Sequence, residues 1–377
     1  MPGHASETEV FVVGAGPAGL AAALAVKRAG YDVVVADCSQ PPIDKACGEG
    51  IMPDGLQALQ QLGVRLDESQ AACFEGIRFI NGSQQVEARF SHGSGLGVRR
   101  TVLHQQLGDA ASQAGVRLLW NRRFTGMTNG FIRLEEEAFR CRWIVGADGQ
   151  NSRVRHSAGL QCAGKERVRF GMRQHYRVRP WSDFVEVHWS DYGEMYVTPI
   201  ADDAVCVALI SSRKPLRFEE ALRHFPVLAS NLKDGMIEGH PRGAVTASRR
   251  LNRVYRNSVA LIGEAAGSVD AITGEGLAIA FRQATALASA LAANDLSIYD
   301  AACRQIMRLP RAMTSLMLSL DSRPAFRRRA FGALEAKPAV FERMLAIHTG
   351  SASLTQVGLG NTLSFGWHLL TDVGATR

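Results

Sequence analysis

The stretch Val10-Phe11-Val12-Val13-Gly14-Ala15-Gly16-Pro17-Ala18-Gly19 constrains this chain more than any other. An apolar run reads as a buried strand and leads into G-x-G-x-x-G. Gly14 serves the tight turn, Gly16 leaves room for a pyrophosphate, and Gly19 lets the following helix pack close to the strand. Pro17 and Ala18 open an alanine-rich helix that runs through Leu20 to Ala29, and its free N–H groups favour an anion. Gly30 ends that helix, and Tyr31 to Asp37 supplies a second strand. Asp37 stands about 20 residues past the glycines, where a carboxylate can accept from a ribose hydroxyl. The motif alone is weak; the order strand, turn, helix, strand, acid makes a dinucleotide site the expected reading.

Two more strands run into glycine loops. Trp143-Ile144-Val145-Gly146-Ala147-Asp148-Gly149 delivers Asp148 between two glycines, with a helix beginning near Ser152. Ser258 to Ile262 leads into Gly263-Glu264-Ala265-Ala266-Gly267, then Thr273-Gly274-Glu275-Gly276-Leu277 and a helix through Ala293. A second helix N-terminus can face the same cofactor. Between these motifs the pattern changes. Ile77 to Phe90 reads as a hairpin turning at Asn81-Gly82, and Phe131 to Ile144 as another. From Arg167 to Ile210 the period is two, with Phe170, Met172, Gln174 and Tyr176 alternating with Arg173, His175 and Arg177, which predicts a mainly antiparallel sheet.

Composition excludes several classes. Seven scattered cysteines with no C-x-x-C argue against a disulfide framework and for a reducing, cytoplasmic setting. The ten histidines show no metal-ligand spacing, so no metal is expected. The N-terminus lacks a signal-peptide pattern, and the apolar segment Gly276 to Ala293 contains Arg282 and Gln283, so it is expected to pack rather than span a membrane. The net charge of +7 suits an anionic cofactor, and no zinc-finger spacing or recognition motif favours nucleic acid.

The three motifs in this order resemble the FAD-dependent oxidoreductases of the glutathione-reductase-type fold, in the branch shared by aromatic hydroxylases and geranylgeranyl reductases. The resemblance covers roughly residues 8–295. It implies an α/β fold: a Rossmann-like FAD-binding domain (1–75, 99–165, 251–296) interleaved with a mainly antiparallel β-sheet substrate domain (76–98, 166–250), then a C-terminal helical region (297–377). It implies that Asp37 and Arg100 hold the adenosine side, that Glu264 lies near the ribityl chain and pyrophosphate, that the loop of Cys47 and Gly48 lies near the flavin, and that Gly274, Glu275 and Gly276 lie beside its ring. Cys38, Gln105, Gly263 and Leu277 are further candidates to bind the cofactor, and Asp148 is one to bind a ribose or fix its loop. Lys45-Ala46-Cys47-Gly48 and Thr273-Gly274-Glu275-Gly276 match the reductase pattern. Two departures are conservative: Asp37 stands where relatives have glutamate, and Glu264 where they have aspartate. A third is not: Tyr192 to Pro199 replaces the reductases' Gly-Trp-x-Phe-Pro stretch.

The flavin would carry the redox chemistry, with NAD(P)H as reductant. The third departure and the polar strand face favour a monooxygenase acting through a flavin C4a-hydroperoxide on a hydrophobic or aromatic metabolite, with molecular oxygen as co-substrate. An ene-reductase of prenyl or polyene chains and a non-catalytic FAD-binding protein are the alternatives. Cys47 is the candidate proton donor, against a small packing residue, with Glu49 beside it. His175 and Arg173 are candidates to grip substrate, against a surface stripe; His188 and Tyr196 are candidates for the cavity wall, against the safer reading of aromatic core. Phe326 to Phe341, with Arg327, Arg328 and Arg329, reads as a solvated helix face or a weak contact to a membrane or carrier protein.

Overall fold

Val10, Phe11 and Val12 carry no group that needs water, and all are fully buried in β1 (Ser6–Val13). β1 pairs in parallel with β2 (Val33–Ala36) on one side and β11 (Ala138–Gly146) on the other. Both faces of such a strand are covered, hence its unbroken apolar run. β8 (Arg117–Leu119) extends the sheet beyond β2. β18 (Val259–Leu261) and β17 (Tyr255–Arg256) extend it beyond β11. A meander of β9 (Phe124–Thr128) and β10 (Phe131–Leu134) adds to β11. The strands that feed the three glycine loops therefore lie side by side and end at one edge. The computed structural model describes residues 6–352 except 129, 161, 163–166 and 215–216. The expected weakly patterned tail from Gly350 to Arg377 lies, past residue 352, outside the described residues.

The glycines lock these loops together. Gly14 has φ +103°, and a Cβ there would sit 2.5 Å from the Ala147 carbonyl oxygen. A Cβ on Gly19 would overlap the Gly14 carbonyl. The first motif thus rests directly on the second. Above this layer α1 (Pro17–Arg28) packs against α3 (Arg100–Gln113) and α7 (Gly276–Ala292), and α2 (Pro53–Gln61) lies against α7. The helix expected from Pro17 through Ala29 is α1, with Pro17 at its first position.

A seven-stranded sheet forms the second layer, in the order β16 (Met236–Ser248), β12 (Arg167–Arg177), β15 (Ala204–Ser211), β14 (Glu194–Ala201), β13 (Phe184–Trp189), β5 (Gly76–Asn81), β6 (Gln84–Arg89). Its pairs are antiparallel except β13–β5. β16 runs for 13 residues along the outer side of β12. A small sheet of β3 (Gly50–Ile51), β7 (Gly95–Val98) and β4 (Ala71–Phe74) joins the two layers. α4 (Arg153–Ser157) follows the second glycine loop. α5 (Phe218–Leu222) and α6 (Pro226–Asn231) cover Tyr176, Met195 and Val207 on one face of the large sheet.

The C-terminal helices are α8 (Leu296–Ile306), α9 (Arg308–Ser322), α10 (Pro324–Ala336) and α11 (Pro338–His348). Here the expected solvated or membrane-touching run Phe326 to Phe341 is corrected. Phe331 and Phe341 are buried against Phe79, and Arg327 is buried and bonded to Asn81 and Asp191. Only Arg328 and Arg329 of that arginine run face solvent. No helix among the described residues is long and apolar enough to cross a membrane.

Candidate active site

One cavity of about 690 Å³ runs between the parallel layer, the large sheet and the C-terminal helices. All three glycine loops line it: Gly14, Gly16, Pro17 and Ala18; Ala147, Asp148 and Gly149; Gly263, Glu264, Gly274, Gly276 and Leu277. Gly19 sits one layer behind. The residues fit an FAD. No side chain caps the N-terminus of α1 or of α7, so both present first-turn N–H groups toward the cavity. A Cβ on Gly16 would meet nothing within 4 Å, leaving the room a pyrophosphate needs. Arg100 lines the cavity with its buried Nε unpartnered among the described residues. Lys45 bonds Glu264 across the cavity rim at 2.6 Å.

The acids of the motifs hold backbone. Asp37 accepts from the N–H groups of Ala15 (2.8 Å) and Ser39 (2.8 Å), fixing the first glycine loop while keeping lone pairs free at the cavity. Asp148 accepts from the Ser152 hydroxyl (2.5 Å) and from the N–H groups of Arg153 (2.7 Å) and Val154 (3.1 Å), so it fixes the start of α4. His104 was missed by sequence reasoning. Fully buried and neutral, it donates from Nε2 to the Ala15 carbonyl at 2.9 Å. Its place four residues after Arg100 on the apolar face of α3 was the available signal. Arg122, Arg123 and Phe124 also line the cavity beside Asp37 and Cys38 and carried no motif.

Cys47, Glu49, Arg173 and His175 come from distant segments and meet. Glu49 lies between Gly48 and Gly50 with φ +59°, a conformation uncommon for a side-chain-bearing residue. Its carboxylate accepts from the Arg100 N–H at 2.9 Å and from His175 Nε2 at 2.6 Å. Arg173 lies 3.1 Å and Arg99 3.4 Å from His175 Nδ1. Guanidinium groups only donate, so Nδ1 accepts and Nε2 carries the proton given to Glu49. Arg173 is further held by Asp44 at 2.5 Å. The Cys47 Sγ accepts from the Glu49 N–H at 3.4 Å. Cys47, Glu49 and Arg173 line the cavity, while His175 stands behind Glu49. Of the polar stripe of β12, Arg173 and His175 are thus buried, while Arg177 at the strand's end is exposed.

Three expected site residues face elsewhere. His188 points away from the cavity and bonds Glu186 at 3.0 Å, because the alternation of β13 gives Val185 and Val187 to the cavity wall. Gln105 is exposed on the outer face of α3 and bonds Asp109. Glu275 is buried behind the wall, where its Oε1 lies 3.8 Å from Nδ1 of the cavity-lining His348. Tyr196 does line the cavity, its hydroxyl tied to the Ile272 carbonyl at 2.7 Å. The loop carrying Ile272 is anchored by Arg169, which no motif announced. This fully buried guanidinium binds Glu194 (2.5 Å), Asp270 (3.2 Å) and Asp321 (3.4 Å). Burial pushes the Glu194 carboxyl well above its ordinary range, and the Arg169 guanidinium beside it opposes that rise.

Burial lifts Glu275 to about 8 and drops His348 to about 4. A raised carboxyl contributes stability below its unfolded pKa and loses it as pH climbs through the folded value. A lowered histidine gives stability that grows with pH up to its unfolded value near 6.5. The two oppose each other below that value, and only the Glu275 loss remains from about 6.5 to 8. Glu275→Gln is expected to flatten the fall in Tm over that window, read by pH-dependent melting, against a parent slope of about 1.4 kcal/mol per pH unit.

The C-terminal helices supply the rest of the wall. Met307, Met313, Met317, Met344, Phe341 and Leu345 line it together with Ile77, Phe79, Val185 and Val187. The i, i+4 pair Met313 and Met317 on α9 was the signal sequence reasoning overlooked.

A protein-family model described as an FAD binding domain matches residues 7–295. Among curated proteins, the chain is 28% identical to a menaquinone reductase of Mycobacterium tuberculosis, covering 77% of this chain and 78% of the relative. It is 28% identical to digeranylgeranylglycerophospholipid reductase 1 of Methanopyrus kandleri, covering 72% and 76%. The fold is shared with the flavin-dependent brominase Bmp2 (TM-score 0.80, 17% identity, 96% and 98% covered). It is shared also with p-nitrophenol 4-monooxygenase PnpA of Pseudomonas putida (TM-score 0.76, 17% identity, 91% and 98% covered).

Proposed function

We propose, from the premise that the chain belongs to the FAD binding domain family and is an FAD-dependent oxidoreductase, that it reduces carbon–carbon double bonds of an isoprenoid chain, drawing electrons from NAD(P)H or a small electron carrier. The observation that carries this reading is the methionine-rich wall from α9 and α11. Methionine is flexible and polarisable, and it suits a long apolar ligand with many conformers. The curated relatives, named as reductases of a menaquinone and of a digeranylgeranyl lipid, point the same way. The polar groups that favoured a phenolic substrate in the sequence are already engaged, Arg173 by Asp44 and His175 by Glu49.

When bound, FAD supplies hydride transfer at its ring. The chain's own residues do the rest. The first turns of α1 and α7 hold phosphate and ring with backbone N–H groups. The apolar wall excludes water. Cys47, lining the cavity beside Glu49, holds a thiol proton for the carbon that does not take hydride. His175, locked by Arg173 and Arg99, keeps the Glu49 carboxylate and with it the Cys47 loop in place.

The test is anaerobic turnover of a geranylgeranyl probe by the chemically reduced holoenzyme. The expected product gains two hydrogens without oxygen present. A product that forms only with oxygen and contains an oxygen atom would establish the hydroxylase reading instead. A second prediction concerns the wall: Met317→Trp should raise KM for a geranylgeranyl chain roughly tenfold or more and spare a shorter prenyl probe, measured as steady-state KM for the two.

A further inference from the structure

The two edges of the large sheet are finished differently. β6 is covered by α10 and α11, whereas β16 pairs, among the described residues, only with β12 and is exposed along most of its length. Four of the large apolar side chains left exposed lie at this edge: Met236 (65%), Ile237 (52%) and Val245 (55%) on β16, and Val168 (46%) beside it on β12. Arginines flank them. Arg177 sits opposite Met236 in the register, Arg167 opposite Ser248, and both are about half exposed. Arg242 is more exposed still. The acids nearby are already engaged, Glu238 by Arg99 at 2.6 Å and Asp44 by Arg173 and Arg242. The edge is also continuous with the active-site cavity, which Ala244, Val245 and Thr246 help to line.

Another copy of the chain is poorly suited to this edge. Pro241 offers no N–H, and the register shifts between Arg173 and His175. Both features interrupt strand-to-strand pairing. An apolar strip rimmed by exposed arginines, of which Arg167 and Arg177 reach Asp321 and Glu238 only at 4.0 Å and Arg242 holds Asp44 at 3.1 Å, matches a different partner, the headgroup layer of a negatively charged lipid surface.

We propose that the β16 edge docks the protein on an anionic phospholipid bilayer, with Met236, Ile237 and Val245 entering the headgroup layer and Arg167, Arg177 and Arg242 pairing with lipid phosphates. The proposal rests on the isoprenoid-reductase reading and deepens it: the substrate enters the cavity beside Val245 from the membrane, not from water. Each arginine near an anionic surface strengthens binding about fivefold.

The experiment is co-sedimentation of the FAD-loaded full chain with vesicles of phosphatidylglycerol and phosphatidylcholine, and with phosphatidylcholine alone. The expected result is binding to the anionic vesicles that weakens as salt rises. The double variant Met236→Asp/Ile237→Asp should bind more than tenfold more weakly. Arg177→Gln, at an exposed position, should weaken binding about fivefold. Flavin content and Tm should not change in any of them. Failure to bind either vesicle, equal binding by the variants, or a dimer that Met236→Asp dissociates would overturn the proposal. Vesicle binding requires no turnover. Activity on detergent-dispersed substrate without vesicle binding would remove the docking surface alone; vesicle binding without prenyl reduction would remove the reductase reading alone.

Discussion

Gly16→Asp is expected to give a folded protein that purifies without its yellow cofactor. The fold tolerates the change because a Cβ at residue 16 meets nothing within 4 Å, and φ there is an ordinary −64°. The apoprotein Tm should therefore match that of the parent stripped of flavin. The cofactor site does not tolerate it. The new carboxylate would stand at the N-terminus of α1, where the pyrophosphate must lie. Two unit charges about 4 Å apart repel by about 4 kcal/mol in a partly buried setting, or about a thousandfold in affinity. Titration of apoprotein with FAD, followed by fluorescence quenching, measures this directly. Affinity within a factor of ten of the parent would mean that the pyrophosphate lies elsewhere. Gly19→Ala makes the useful contrast, since its Cβ strikes the Gly14 backbone and should compromise the fold itself.

Cys47→Ala is expected to keep FAD and lose double-bond reduction by a factor of about 10² to 10⁴, the usual span for removing a positioned general acid. Cys47 contributes no side chain to the core, and its sulfur accepts only the long contact from the Glu49 N–H. Retained flavin should show the parent visible spectrum, and reduction of the bound flavin by a chemical reductant should proceed at the parent rate. Only the oxidation of reduced flavin by the prenyl probe should slow. Cys47→Ser separates the two roles of the thiol: it keeps the size but offers a much weaker acid, so it should stay slow. Loss of flavin from Cys47→Ala would make the residue a structural one.

The parallel layer was legible because its signals are local. A strand buried on both faces must be apolar throughout, and a phosphate-binding turn needs glycines at fixed spacing, so β1, β11 and β18 announce themselves. Cys47 and Glu49 were legible through their loop. Side-chain direction was harder to read. Period two says that His188 and Val187 face opposite ways, but not which of the two sees the cavity. Glu275 failed in the same manner, standing between the lining residues Gly274 and Gly276 but turned behind them, and Gln105, five residues past the lining Arg100, lies on the outer face of α3. The C-terminal helices were least legible. Arg327 to Arg329 dominates the local composition, yet the packing of α10 is decided by Phe331 and by the buried Arg327 guanidinium, bonded to Asn81 and Asp191. Nor could periodicity disclose Arg169, whose three acidic partners come from separate elements.

The contact between the glycine loops has a consequence for how the protein is made. Gly14 rests on Ala147, and Gly263 rests on Ala18, so the grip on the dinucleotide is assembled from pieces near the start, middle and later part of translation. A nascent chain that has left the ribosome only as far as α3 has its first phosphate turn but neither of the surfaces that close over it. Flavin capture must then wait until α7 has emerged, and synthesis arrested before that point would leave a sticky, colourless fragment rather than a partly loaded enzyme.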